Sequence, residues 1–359
     1  MTRILVCCGA GGVGKTTSAA ALAVRAARAG ARTVVLTVDP ARRLADALGV
    51  GSLGNTPTAV PLDGTVLHAA MLDVRATFDA LVTRHAPTAE TRDRILRNAV
   101  YGYVSTRLPG VHEYMAMERL TTLVQDGSWD LVVLDTPPTA HALDFLDAPA
   151  RIAGVLDERV MRWLVLPGTR GGWRVIQRGN ALVAGVLQTM LGTRTLTDMA
   201  EFFGAFSDLW EGFRARSLSV ARLLSSPQAR FVLVTTPTPE AAAEAAAFQA
   251  TLAARGLPFA GFVVNRCTPP LPGGAVTFGA SDLGDTLEDV HRDLAARLAR
   301  EEHVIASLLG SLGGGGPPPP QRPPGAWRLV ERRPPPEDLA ALAALAAELP
   351  SPAAIFDDT

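Results

Sequence analysis

Of the 34 Lys+Arg residues in this 359-residue chain, a single one is lysine, Lys15. It ends the string Gly9-Ala10-Gly11-Gly12-Val13-Gly14-Lys15, followed by Thr16 and Thr17. That spacing fits the phosphate-binding pattern G-x-x-x-x-G-K-[ST]. An ammonium on a thin, flexible stem can thread under a backbone loop and reach phosphate oxygens, whereas a guanidinium is wider and fixed in its fork. The one lysine therefore falls where chemistry separates the two cations most sharply. Two carboxylates could complete such a site. Asp39 sits in Val38-Asp39-Pro40-Ala41-Arg42-Arg43, and Asp135 ends the apolar run Leu131-Val132-Val133-Leu134. Asp39 could orient or deprotonate an attacking water, or it could simply cap the helix that follows Pro40. Asp135 could hold the hydration shell of Mg2+ while Thr16 supplies a direct hydroxyl ligand.

These residues need elements that bring them together. Arg3–Cys8 predicts a buried strand and Lys15–Ala29 an alanine-rich helix, which gives the strand, glycine loop, helix order that the motif requires. Loop amides and the helix N-terminus then present partial positive charge to phosphate. Thr33–Val38, Val66–Leu72, Asp130–Leu134, Arg230–Thr235 and Phe259–Val264 read as further strands, and Ala41–Leu48, Tyr114–Val124 and Glu240–Arg255 as helices between them. Continuous apolar runs suit strands covered on both faces. The expected fold is α/β, a doubly wound, mainly parallel sheet whose strand C-termini meet the ligand crevice.

Residues 1–310 read as one such domain. The stretch from about 151 to 224 breaks the alternation and predicts an insertion of several helices, rich in Met, Trp and Phe. It could be a helical layer packed on the sheet or an apolar surface for a client or partner helix. Residues 311–325 carry runs of Gly and Pro that predict an extended linker. Residues 326–359 predict a last strand near Trp327–Val330 and a terminal helix over Glu337–Leu349, packing on the same domain.

Bulk properties narrow the field. Hydrophobic residues make up 48% of the chain and the net charge is −1, so nothing draws it generally to nucleic acid or anionic membrane. Cys7, Cys8 and Cys267 form no disulfide or zinc framework, and the first two read as small core residues. The short apolar start and the lack of a spanning stretch predict a cytoplasmic protein.

Four segments in order resemble a known family. Ala10-Gly11-Gly12-Val13-Gly14-Lys15-Thr16-Thr17 resembles the deviant phosphate loop of the ATPases related to MinD, ParA and nitrogenase iron protein. Thr37-Val38-Asp39-Pro40-Ala41 resembles the first switch of the arsenical-pump ATPases and of their relatives that target tail-anchored membrane proteins. Asp135-Thr136-Pro137-Pro138-Thr139-Ala140-His141, with Phe145-Leu146, resembles their second switch, and Pro109-Gly110-Val111-His112-Glu113 another of their elements. Phrasing such as Tyr114-Met115-Ala116-Met117-Glu118 is similar to bacterial single-domain members. The resemblance implies an ATP-hydrolysing dimeric switch. In it Gly11, Gly12, Val13, Gly14, Lys15, Thr16 and Thr17 bind phosphates, Thr16 and Asp135 serve Mg2+, and Lys15 and Asp39 act in catalysis. Asn265, ending Gly261-Phe262-Val263-Val264, matches the family's adenine-recognising asparagine, and its amide suits the purine N6/N7 edge; the alternative is a turn residue. No N-K-x-D string is present, which favours ATP over GTP.

The departures are informative. The family's signature lysine, which reaches across a dimer, is Ala10 here. A different subunit could donate it in a heterodimer with a paralogous ATPase, Arg42 or Arg43 could take over, or a homodimer could turn over slowly as an ATP-gated binding module. The clustered cysteines of an arsenite site and of a zinc-linked dimer are missing, so neither site is expected. A hydrophobic client or membrane-protein partner is a reading of the apolar residues in 151–224.

Overall fold

The structure is a computed structural model, and it describes residues 1–107, 110–137, 193–271, 282–310, 325–330 and 338–356. The chain divides into two compact units, one of residues 1–71, 123–142 and 224–359, the other of 72–122 and 143–223.

The first unit is built on an eight-stranded sheet. Its strands are β1 (Arg3–Cys8), β2 (Thr33–Thr37), β3 (Thr58–Leu62), β4 (Thr65–Met71), β5 (Leu131–Asp135), β6 (Ala229–Thr235), β7 (Phe259–Cys267) and β8 (Gly325–Val330). They lie in the order β3-β4-β2-β5-β1-β6-β7-β8. Every neighbouring pair is parallel except β3 with β4. The doubly wound, mainly parallel sheet expected from the sequence is therefore present. Its central strands are β-branched or apolar and wholly buried, as in the TVVLT of β2 and the LVVLD of β5, because helices exclude water from a parallel sheet. The sequence reading missed β3. Its run contains Pro61, which has no N–H to give, and such a strand survives only at an edge; the Asp63-Gly64 turn ties it to β4 as an antiparallel hairpin.

Helix α1 (Lys15–Arg28) covers one face. Its residues Ala19–Ala23 and Ala26–Ala27 are almost inaccessible, and their small side chains let it settle close on Leu5, Cys7, Val35, Val133 and Val232. The short α2 is Arg43–Ala47. Residues beyond the last strand return to α1: Leu342, Leu345 and Leu349 belong to the same cluster as the α1 alanines. Elsewhere in this unit, helices Pro239–Ala254 and Asp282–Gly310 pack on each other. The first starts from Thr238, whose hydroxyl caps it, with proline at its first position, the arrangement that pre-sets a helix start.

The second unit is helical, with Val74–His85, Ala89–Arg97 and Ala99–Arg107, most of Val111–Gln125, and most of Thr193–Leu224. Phe78, Tyr101 and Phe202 stack at its centre, with ring centroids 5.3 and 6.2 Å apart. Of the insertion expected at 151–224, the described part is one continuous helix of 32 residues, uninterrupted because no proline falls in it. Residues 151–192, the second-switch residues Pro138–His141 with Phe145 and Leu146, Pro109, and residues 311–324 of the Gly/Pro stretch lie outside the described residues. No helix among the described residues is long and apolar enough to cross a membrane.

Candidate functional site

The loop between β1 and α1 is shaped by two contacts that exclude side chains. A Cβ on Gly9 would stand 2.1 Å from the Val234 carbonyl oxygen, and one on Gly14 2.2 Å from Asn265 Nδ2. Gly14 also has φ +93, a left-handed conformation that glycine adopts without steric cost. Four other helices begin under a side-chain cap, where Asp73, Thr88, Thr238 and Asp338 each accept a bond from a first-turn amide. At α1 the N-cap is Gly14, no side chain caps it, and the first turn holds no acidic residue. Its amides and partial positive charge are left for an external anion.

Lys15 stands at this opening. It is 6% exposed, and its ammonium donates to the Ala10 carbonyl at 2.5 Å. Burial pushes its pKa down, opposed first by the charge of Asp135. Val13 turns into the core at 5% exposure, so only its backbone is available to a ligand.

Asp135 ends β5 in register with both Cys7 of β1 and Thr37 of β2. It is fully buried. One oxygen, Oδ2, accepts from the Thr37 hydroxyl at 2.8 Å, while Oδ1 is buried with no hydrogen-bond partner among the described residues. Burial raises its pKa to about 6, opposed by the hydroxyls of Thr16 and Thr37 and the charge of Lys15. A buried carboxylate oxygen left unmet is costly; beside a threonine hydroxyl and a phosphate-type loop, this donor set is the one a hydrated Mg2+ takes. The sequence reading did not single out Thr37. Only the parallel register, which no spacing reveals, sets its hydroxyl against Asp135, where it also accepts from the Asp39 amide at 3.3 Å.

Asp39 is engaged at both oxygens. Oδ1 accepts from the Ala41 amide at 2.9 Å, a turn-closing bond, and Oδ2 lies 3.2 Å from the Arg43 guanidinium. Arg42 faces elsewhere and donates to the Gly51 carbonyl. Thr136 donates its hydroxyl to the Cys7 carbonyl at 2.8 Å, fixing the chain just after Asp135. Cys7 and Cys8 are free and buried, and burial pushes the Cys8 thiol up to about 12, so both behave as small core residues.

These parts surround an open cavity of about 960 Å³. Gly11, Gly12, Gly14, Lys15, Thr16 and Thr17 line it from the loop and the start of α1, and Asp39, Arg43, Asp46 and Thr136 line the rest of it. Asn265 does not line it. Its amide nitrogen donates to the Val13 carbonyl at 2.9 Å and its oxygen accepts from the Arg266 amide at 2.9 Å, so it buttresses the loop from behind.

A family model described as anion-transporting ATPase matches residues 2–270. The chain belongs to the anion-transporting ATPase family. The putative arsenical pump-driving ATPase of Chlorobaculum tepidum is 34% identical over 170 residues, 46% of this chain and 40% of that protein. The ATPase GET3 of Malassezia globosa is 30% identical over 147 residues, 41% of this chain and 42% of that protein. An uncharacterised protein of Streptomyces coelicolor is 33% identical over 226 residues, 63% and 55% of the two chains. This family member therefore spans well under two thirds of the length of the relatives it matches.

Proposed function

We propose that this family member binds ATP with Mg2+ in the 960 Å³ cavity and hydrolyses it to ADP and phosphate, acting as a nucleotide-driven dimeric switch. The observation that carries the reading is the uncapped start of α1 with Lys15 beneath it, facing a buried carboxylate that has one unmet oxygen. The α1 amides and Lys15 would take the phosphates, and Thr16 with Asp135 would hold the metal. Bound there, Mg2+ would neutralise phosphate charge. Asp39 would orient the attacking water. Thr37 would pass changes at Asp135 to the backbone of Asp39, since it bonds to both. Binding energy for the terminal phosphate would then bias the loops at Asp39 and Thr136 between two arrangements.

A second reading keeps the nucleotide and drops the turnover: an ATP-gated binding module that needs a lysine-bearing paralogue. Ala10 and the full engagement of Asp39 support it. The hydrophobic client rests on the apolar composition of residues 151–224. Phosphate release from Mg-ATP by the wild type and by Asp39→Asn separates the two. A switch that hydrolyses by itself loses at least ~100-fold of its rate with Asp39→Asn, the lower range for removing a general base. Equal rates would take Asp39 out of the mechanism, and no turnover by either protein would leave the gated module.

A further inference from the structure

We infer that Arg43 is the residue that tells a nucleoside triphosphate from a diphosphate in this cavity, by exchanging Asp39 for the terminal phosphate. The inference rests on the nucleotide reading above and adds to it a specific sensor.

The cations lining the cavity are Lys15 and Arg43. They differ in every physical respect that matters. Lys15 is 6% exposed and holds the Ala10 carbonyl, so it is fixed within the loop and meets any phosphate chain that binds there. The Arg43 side chain is 62% exposed, on the wall it shares with Asp39 and Asp46, and among the described residues its ionic partner is Asp39. A long exposed side chain in a single ion pair is weakly held. Arg42 cannot replace it while it donates to the Gly51 carbonyl.

The two flanks also differ in what they present to the cavity. From the β2 side Asp39, Arg43 and Asp46 line it; at the end of β7, Asn265 is bonded to Val13, and the exposed Arg266 lines a separate cavity. The terminal phosphate of a triphosphate carries about twice the charge of either inner one, so it is drawn to the flank that offers the cavity a mobile cation. Phosphate takes the arginine fork bidentately, in charge-assisted bonds, and it carries more charge than the carboxylate it competes with. A diphosphate ends short of that wall and leaves the Arg43–Asp39 pair intact.

The exchange has a consequence for Asp39. Its Oδ1 remains tied to the Ala41 amide, while Oδ2, until then paired with Arg43, is released. The movement that reads the terminal phosphate therefore unmasks the one oxygen able to orient water. With ADP bound the carboxylate stays masked.

The test is equilibrium binding of Mg-ATP and Mg-ADP to the full chain, wild type, Arg43→Ala and Arg43→Lys. Arg43→Ala should weaken ATP by ~10–100-fold, the loss of one charge-assisted contact, and ADP by less than about threefold. Arg43→Lys should recover part of the ATP affinity, since it keeps the charge and loses the fork. The unliganded melting temperature should stay within about 2 °C of wild type, as expected for one exposed ion pair. Equal losses for both nucleotides, or no loss for either, overturn the inference. Wild type that binds neither nucleotide instead removes the proposed function on which it stands.

Discussion

Two carboxylates at the C-terminal edge of the sheet are buried and treated in opposite ways. Glu301, 7% exposed, stands over the end of β7 with its valences filled. Its oxygens accept from the Thr268 amide at 2.8 Å, from the Thr268 hydroxyl at 2.7 Å and from Arg297 at 3.0 Å. Burial pushes its pKa up, yet the Thr268 and Arg297 bonds outweigh that and hold it below its ordinary value. Asp135, at the end of β5, has the Thr37 hydroxyl on Oδ2, no hydrogen-bond partner on Oδ1 among the described residues although the Thr16 hydroxyl is close enough to oppose its shift, and a pKa raised to about 6. On the proposed function, Glu301 has both oxygens bonded within the protein, whereas Asp135 would keep Oδ1 for a ligand. The proposed function reads that difference as one between a structural acid and a ligand-binding one, both of them buried.

The comparison can be broken most decisively at Asp135. Asp135→Asn keeps the shape and removes the charge, so the unliganded protein should be unchanged in stability or slightly firmer, within about 1 kcal/mol. The stabilisation that Mg-ATP gives the wild type, about 2.7 kcal/mol at a hundredfold excess over Kd, should vanish. Thermal unfolding with and without Mg-ATP reads both; a variant still stabilised like wild type would make Asp135 an ordinary core residue. The mirror experiment is Glu301→Gln. It should cost about 1–3 kcal/mol of unfolding free energy, the usual range for weakening charge-assisted buried bonds, and leave nucleotide affinity alone. Loss of affinity with intact stability would reverse the two roles.

A smaller effect sharpens the same contrast. Because the folded-state pKa of Glu301 is lowered, its stabilisation is complete above the unfolded-state value near 4.3 and is lost as pH falls through the folded one. Wild type should therefore lose stability more steeply than Glu301→Gln between about pH 4.5 and pH 3, measured by denaturant unfolding. Parallel curves would mean that the Thr268 bonds do not favour the ionised form.

Much of the fold was legible because the strands that matter are continuous apolar runs and the phosphate loop has a fixed spacing. What escaped reading depends on tertiary register. Thr58–Leu62 looked unlike a strand because Pro61 interrupts it, although the turn at Asp63-Gly64 was a usable signal. Thr37 gained its place only when β2 and β5 were aligned. Asn265 gained a contact that side-chain chemistry alone does not show: one N–H bonds the Val13 carbonyl and its oxygen accepts from the Arg266 amide, while a second N–H and a second lone pair remain for the purine edge proposed for it. Arg42 and Arg43 were indistinguishable in sequence, and the start of α2 sends one to Gly51 and the other to the cavity.

The central claim is that a buried ammonium at the uncapped start of α1 grips a triphosphate. Calorimetric titration of Mg-ATP into wild type and Lys15→Ala tests it directly. The account predicts an affinity loss of at least ~100-fold, the upper range for one charged hydrogen bond, with the fold retained. Affinities within about threefold of each other, well inside the scatter of a single weak contact, would contradict it.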